Sequence, residues 1–231
     1  GGGYAAVYEN GYVSIMKGTW KIRVMKVTDI PITFGGKALH NIMNTLPAML
    51  ATYLFKSITI EDIRSALATF VPSPAQTPGR LNLFQFRHFK FLVDFAHNPA
   101  GLELLGDFQS KLDGTPKIGI ISGTGDRRDD DIRELGRISA KYFDEIIIRC
   151  DKNLRRRTAD EIVNLLVDGI NETRTREIPV KIILNEKDAI MWAYDTAKPG
   201  SLITIMCDVV AEALDLIKGL KEKEDAEDAA L

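Results

Sequence analysis

The chain has 231 residues, 45% hydrophobic and 27% charged, which suits one domain or two with a buried core and excludes a disordered chain. Thirty basic residues against 32 acidic ones leave a net charge of −2, so no charge surplus points to nucleic acid or an anionic membrane. No apolar run approaches the ~20 residues of a membrane helix, no signal-type leader is apparent, and two cysteines, Cys150 and Cys207, fit a reducing cytoplasm better than a disulfide framework.

The chain opens on Gly1-Gly2-Gly3 without an initiator Met, as expected of a piece of a longer protein. Strand signals follow at Tyr4–Tyr8, Tyr12–Met16 and Ile22–Val27, with Asn10-Gly11 as a hairpin turn, since both residues tolerate positive φ. Leu39, Ile42, Leu46, Met49, Leu50 and Tyr53 recur at helical spacing, as do Ile63, Leu67 and Phe70. Residues 71–80, VPSPAQTPGR, hold three prolines and a glycine; they stop helix and sheet alike and mark the passage to a second unit.

From Leu81 the pattern alternates. Strands are expected at Leu81–Phe86, Phe89–Phe95, Lys117–Ser122, Glu145–Arg149, Val180–Leu184 and Leu202–Met206, with helices near 99–111, 130–142, 159–173, 186–197 and 208–220. Such alternation gives parallel crossovers and an α/β sheet covered on both faces. The tail KEKEDAEDAAL is charged, and frayed helix or disorder is expected there.

Ligands of an open parallel sheet bind beyond the carboxyl ends of its strands, which directs attention to three loops. In Asp94-Phe95-Ala96-His97-Asn98-Pro99, Asn98 suits a helix cap and Pro99 the first helical position. The helix start attracts anions, and Asp94 is placed to accept from ribose hydroxyls; a plain cap with a surface histidine is the alternative. In Ser122-Gly123-Thr124-Gly125-Asp126-Arg127-Arg128, the glycines permit close approach to a ligand, and Asp126 with Arg127 and Arg128 suits a zwitterion. Asp129-Asp130-Asp131 fits the helix macrodipole better than a metal site. In Asp151-Lys152-Asn153-Leu154-Arg155-Arg156-Arg157, guanidinium groups suit carboxylates or phosphates, while Thr158 and Glu161 form a capping box. The sequence contains no G-x-x-x-x-G-K-[ST] phosphate loop: Phe34-Gly35-Gly36-Lys37 lacks the first glycine, and Ala38 replaces the hydroxyl.

Taken in order, GGKALHNIMNTLPAMLA (35–51), TPGRLNLF (77–84), DFAHNP (94–99), SGTGDRRDDD (122–131) and DKNLRRRTADEI (151–162) resemble the Mur ligase superfamily, most nearly its cyanophycin synthetase branch. The resemblance implies that residues 1–75 are the end of a central ATPase domain. It implies that residues 76–220 are a Rossmann-like C-terminal domain with a mainly parallel sheet, and 221–231 a charged tail. The phosphate loop would then lie upstream of Gly1, and the chain alone would be inactive. The implied chemistry is ATP-dependent and Mg²⁺-dependent amide formation through an acyl phosphate, joining arginine to aspartate side chains. The implied partners are upstream domains of the same polypeptide and an amino-acid or aspartate-polymer substrate, with a homo-oligomer left open.

Carried over by motif, Asn41 and Asn44 lie near the nucleotide, Arg80 reaches ATP phosphate or ribose, and Asp94 binds ribose. His97 and Asn98 face the reacting groups. Asp126, Arg127, Asp151, Asn153 and Arg155 receive the incoming amino acid. Two departures stand out. Lys152 replaces an acid and adds positive charge near a site meant for arginine, and Arg156 replaces a glycine and forbids an easy positive φ there. A peptidoglycan or folyl-polyglutamate ligase, or a non-catalytic Rossmann-like binding module, remains the alternative.

Overall fold

The alternating apolar residues near the start form three antiparallel strands, β1 (Tyr4–Glu9), β2 (Tyr12–Lys17) and β3 (Trp20–Lys26), paired in that order. The structure is a computed structural model that describes residues 2–55 and 57–229. Asn10 and Gly11 turn the first hairpin at φ 49° and 77°, the mirror-image turn that matches strand twist. Two helices follow, α1 (Leu39–Tyr53) and α2 (Ile60–Thr69). Thr59 caps α2: its hydroxyl accepts from Asp62 N at 3.2 Å while Thr59 N donates to the Asp62 carboxylate at 2.8 Å. Val13, Ile15, Val24, Ile42, Met49 and Ile63 are buried together as the core of this unit.

The chain divides into two units, Gly1–Pro72 and Ser73–Leu231. The second contains β4 (Asn82–Gln85), β5 (Lys90–Asp94), α3 (Pro99–Ser110), β6 (Lys117–Ile121), α4 (Asp129–Tyr142), β7 (Glu145–Ile148), α5 (Ala159–Thr173), β8 (Val180–Ile182), α6 (Glu186–Thr196), β9 (Leu202–Met206) and α7 (Val210–Ala229). The sheet order is β4-β5-β9-β6-β7-β8. β4 runs antiparallel to β5, and every other pairing is parallel. Phe91, Val93, Ile118, Ile120, Ile203 and Ile205 lie in one buried cluster along its central strands. Such continuous apolar runs are what a sheet covered on both faces requires.

Three elements differ from the sequence-based expectation. The first strand of this unit begins at Asn82, because Leu81 takes a left-handed φ of 50° that no strand accommodates. β8 is shorter than Val180–Leu184 and exposed, Ile182 by 53%. It stands at the end of the strand order, paired to β7 alone, and an apolar run does not reveal which strand is outermost. The charged tail is helical through Ala229, while its last two residues, Ala230 and Leu231, lie outside the described residues. Its helix is tied down: the buried Glu224 carboxylate accepts from Arg87 N at 2.9 Å, and Arg87 pairs with Asp228. His88 shares that β4–β5 turn, which Phe86 N closes by donating to Phe89 O at 2.9 Å.

α4 and α5 cross closely through two glycines. A Cβ on Gly136 would lie 2.2 Å from Leu166 O, and one on Gly169 would lie 2.0 Å from Arg133 O. Among the described residues, no helix is long and apolar enough to cross a membrane.

Candidate functional site

Parallel pairing brings the carboxyl ends of β5, β9, β6 and β7 to one edge: Asp94 lies beside Met206, and Ile121 beside Ile148. Each strand then enters a polar loop, and these loops enclose a cleft of about 210 Å³. His97, Asp126, Arg127, Asp151 and Arg155 line it together. Sequence reasoning named these five. It missed Arg149 and Asp208, which line the cleft too, and gave Ser122 no role beyond opening its loop; it also missed Glu186 behind them.

Arg149 is the largest fully buried side chain, 2% exposed. Its Nη1 donates to Asp151 Oδ1 at 2.5 Å, its Nη2 donates to Met206 O, and its Nε lies 3.2 Å from Glu186 Oε2. Burial raises the Glu186 carboxyl above its ordinary range, opposed by the Arg149 charge. A usable signal was present. Arg149 closes the apolar run Ile146-Ile147-Ile148, and a cation there must find buried partners.

The three consecutive arginines do different work. Arg155 Nη1 donates to Asp126 Oδ2 at 2.8 Å across the mouth of the cleft. Arg157 binds Gly125 O at 3.0 Å, Arg127 O at 2.8 Å and the Asp129 carboxylate at 2.7 Å, clamping one loop to the other. Arg156 is exposed and takes φ 76°. The expectation that arginine here would forbid a positive φ is therefore corrected: the loop keeps its left-handed backbone at the cost of strain. The expectation for Lys152 is corrected as well. Its ammonium pairs with Glu212 at 2.6 Å and does not line the cleft. Gly125 also serves another purpose than the one expected: a Cβ there would lie 2.1 Å from Leu154 O, so the close approach is to backbone. Asn153 shapes the same loop, its Oδ1 accepting from Arg155 N at 2.9 Å. Arg128 precedes α4 and pairs with Asp131 at 3.0 Å.

Arg80, Asp94 and Asn98 stand on this rim without lining the cleft. The Asp94 carboxylate is buried; Oδ2 accepts from Leu81 N and Oδ1 from Ala96 N, at 2.9 and 2.8 Å. Burial raises its pKa, against those hydrogen bonds and the nearby Arg80 charge. It thereby fastens the turn that carries Arg80, whose exposed guanidinium sits 5.8 Å from the centroid of the Phe95 ring. Asn98 caps α3 by accepting from Gly101 N at 2.8 Å. His97 Nδ1 lies 3.1 Å from Phe95 O, so in the neutral ring the proton sits on Nδ1 and Nε2 is the acceptor. Asn41 and Asn44 belong to α1 of the first unit; Asn41 Nδ2 donates to Ile32 O at 2.8 Å, and Asn44 is exposed. Among the described residues, no three His, Cys, Asp or Glu side chains are grouped to hold a metal ion.

Pockets for drug-sized ligands measure roughly 300–1,000 Å³, so this cleft suits a smaller guest, and its mixed charge suits a zwitterion. Residues 79–208 match the family described as Mur ligase, glutamate ligase domain. The chain is 42% identical over 219 residues to a cyanophycin synthetase of Synechocystis sp., covering 95% of this chain and 25% of that protein. It is 32% identical over 162 residues to the UDP-N-acetylmuramoyl-L-alanyl-D-glutamate--2,6-diaminopimelate ligase of Aquifex aeolicus, covering 70% of this chain and 31% of that one. The chain thus spans about a quarter of the length of the cyanophycin synthetases it matches. A bifunctional folylpolyglutamate synthase/dihydrofolate synthase solved with Mn, AMPPNP and L-glutamate bound shares its fold, at TM-score 0.64 and 16% identity over 93% of this chain and 46% of that one. The matched span holds the whole rim from Gly79 to Asp208, and on that ground the chain belongs to the Mur ligase family.

Proposed function

We propose that this chain is the amino-acid-receiving part of an ATP-dependent, amide-forming ligase of the cyanophycin synthetase type, which joins arginine to aspartate side-chain carboxylates. The observation that carries the proposal is the small cleft at the sheet edge, lined by Arg127 and Arg155 together with Asp126, Asp151 and Asp208. An arginine substrate has one carboxylate and two cationic groups, and this lining offers counter-charges for each. Among the described residues, the buried Nε of Arg127 has no hydrogen-bond partner, and a donor left so is costly until a ligand accepts from it. The Glu212 carboxylate offsets the Lys152 ammonium, whose positive charge would otherwise oppose a cationic substrate.

A carboxylate is a poor electrophile, and ATP supplies the phosphoryl group that gives it a leaving group. The residues of this chain bind and orient the amine against it. Arg127 and Arg155 fit the substrate carboxylate by bidentate hydrogen bonding. Asp151 and Asp208 fit its cationic side chain. His97 Nε2, as acceptor, fits the proton that the attacking ammonium must lose. Arg80 is exposed at the rim and suits a phosphate, with Asp94 holding its turn. Asn98 caps the helix start whose amides favour negative charge. The family motif assigns Asn41 and Asn44, on α1 of the first unit, to the nucleotide. Among the described residues, no three His, Cys, Asp or Glu side chains are grouped to hold a metal ion. The two cysteines, free and buried, suit a reducing cytoplasm.

The test is ADP release by the full-length protein. Release is expected only with an aspartate polymer and L-arginine together. Arg80→Ala should lower kcat by about 100- to 1,000-fold while leaving the melting temperature unchanged. Full activity in that variant would remove Arg80 from the site. Release driven by glutamate or diaminopimelate instead would assign the chain to another branch of the family.

A further inference from the structure

The buried guanidinium of Arg149 is an investment that strand packing does not call for. A cation this enclosed is costly unless it is paired and hydrogen-bonded, and two of its three partners, Asp151 and Met206, line the cleft while Glu186 lies behind it. Nη1 holds Asp151 after β7, and Nη2 holds Met206 O at the end of β9. Nε faces Glu186 at the start of α6, whose Oε2 also accepts from Asp208 N at 2.6 Å. One side chain thus joins the loop after β7 to the loop after β9. A lysine could not do this, being a point charge without a planar fork of donors.

Asp151 shows what the arrangement achieves. Its Oδ1 receives both Arg149 Nη1 and the Ser122 hydroxyl, the latter at 3.1 Å. Among the described residues, Oδ2 has no hydrogen-bond partner, and Asp151 lines the cleft. The carboxylate is therefore fixed by one oxygen and open at the other. Arg149 meets two carboxylates, Asp151 on the cleft and Glu186 behind it.

We propose that Arg149 is a positioning residue: it locks Asp151 by one oxygen so that the other receives the cationic side chain of the incoming amino acid. This rests on the proposed ligase function and adds to it the residue that sets selection for a cationic substrate. Arg149 does not touch the substrate; it acts through Asp151, with Ser122 as the second anchor.

The test is steady-state ADP release by the full-length protein with an aspartate-polymer primer, varying L-arginine and ATP separately. Arg149→Lys and Asp151→Asn should each raise the KM for arginine by about 10- to 100-fold, the scale of a lost charged hydrogen bond. Their kcat and KM for ATP should stay near wild type. Because Arg149 acts through Asp151, the double variant should be no worse than Asp151→Asn alone. Multiplying effects in the double variant, or equal damage to the KM for ATP, would overturn the proposal. Should Arg149→Lys not melt cooperatively, Ser122→Ala carries the test. It should raise the KM for arginine about two- to tenfold, and an unchanged KM would overturn the proposal. An inactive wild type would overturn the ligase function and this inference with it, whereas an active wild type with the wrong pattern overturns the inference alone.

Discussion

Arg156 stands in the loop after β7 at φ 76°, directly after Arg155 at φ 50°. For an L-residue the left-handed region costs about 1–2 kcal/mol, because Cβ crowds the following carbonyl. Glycine escapes that crowding but gives the unfolded chain more freedom, worth about 0.4–1 kcal/mol. The difference leaves Arg156→Gly more stable by about 0.5–1 kcal/mol. Nothing offsets the gain, since the Arg156 side chain is exposed and makes no hydrogen bond or ion pair among the described residues. At about 2–4 °C per kcal/mol for a unit of this size, the melting temperature should rise by about 1–4 °C. Arg156→Ala keeps Cβ and should gain nothing, and Arg155→Gly should gain less, because it loses the pair with Asp126. Thermal unfolding followed by circular dichroism reads all three. A lower melting temperature in Arg156→Gly, or an equal gain in Arg156→Ala, would refute the strain account.

Gly136→Ala should destabilise the second unit by about 1–3 kcal/mol or more, as overpacking does, because the new methyl meets the backbone oxygen of Leu166, which cannot swing aside. Urea unfolding with an unchanged midpoint would show that α4 and α5 slide freely. Burial pushes the Cys207 thiol from 9.0 up to about 12, so at pH 8 it should resist a thiol reagent that labels the unfolded chain quickly. The folded state holds that proton more tightly than the unfolded one. Its contribution is therefore full below pH 9.0 and is lost as pH rises toward 12. Rapid labelling of Cys207 in the native protein would contradict its burial.

Much of the fold was legible in the chain because its signals are local. Asn10-Gly11, the Thr158–Glu161 capping box and Asn98-Pro99 each act within four residues, and each appears as expected. Apolar runs mark the buried strands for the same reason, since a strand covered on both faces has no polar side to show. The edge position of β8 was not legible, because strand order depends on which crossovers neighbour one another.

The sequence by itself placed three polar loops at the carboxyl ends of parallel strands, and so named His97, Asp126, Arg127, Asp151 and Arg155 as neighbours before any coordinates. Tertiary structure alone decided what each does. Arg149, Asp151, Glu186 and Met206 lie on three different loops and strand ends, and only the sheet's parallel register brings them within reach of one guanidinium. It also decided that Lys152 turns to Glu212 and that Asp94 spends its carboxylate on Leu81 and Ala96. The pairings of Arg149 with Glu186 and Met206, and of Lys152 with Glu212, join residues dozens of positions apart, and charge and hydrogen bonding act over a few ångströms of space, not along the chain.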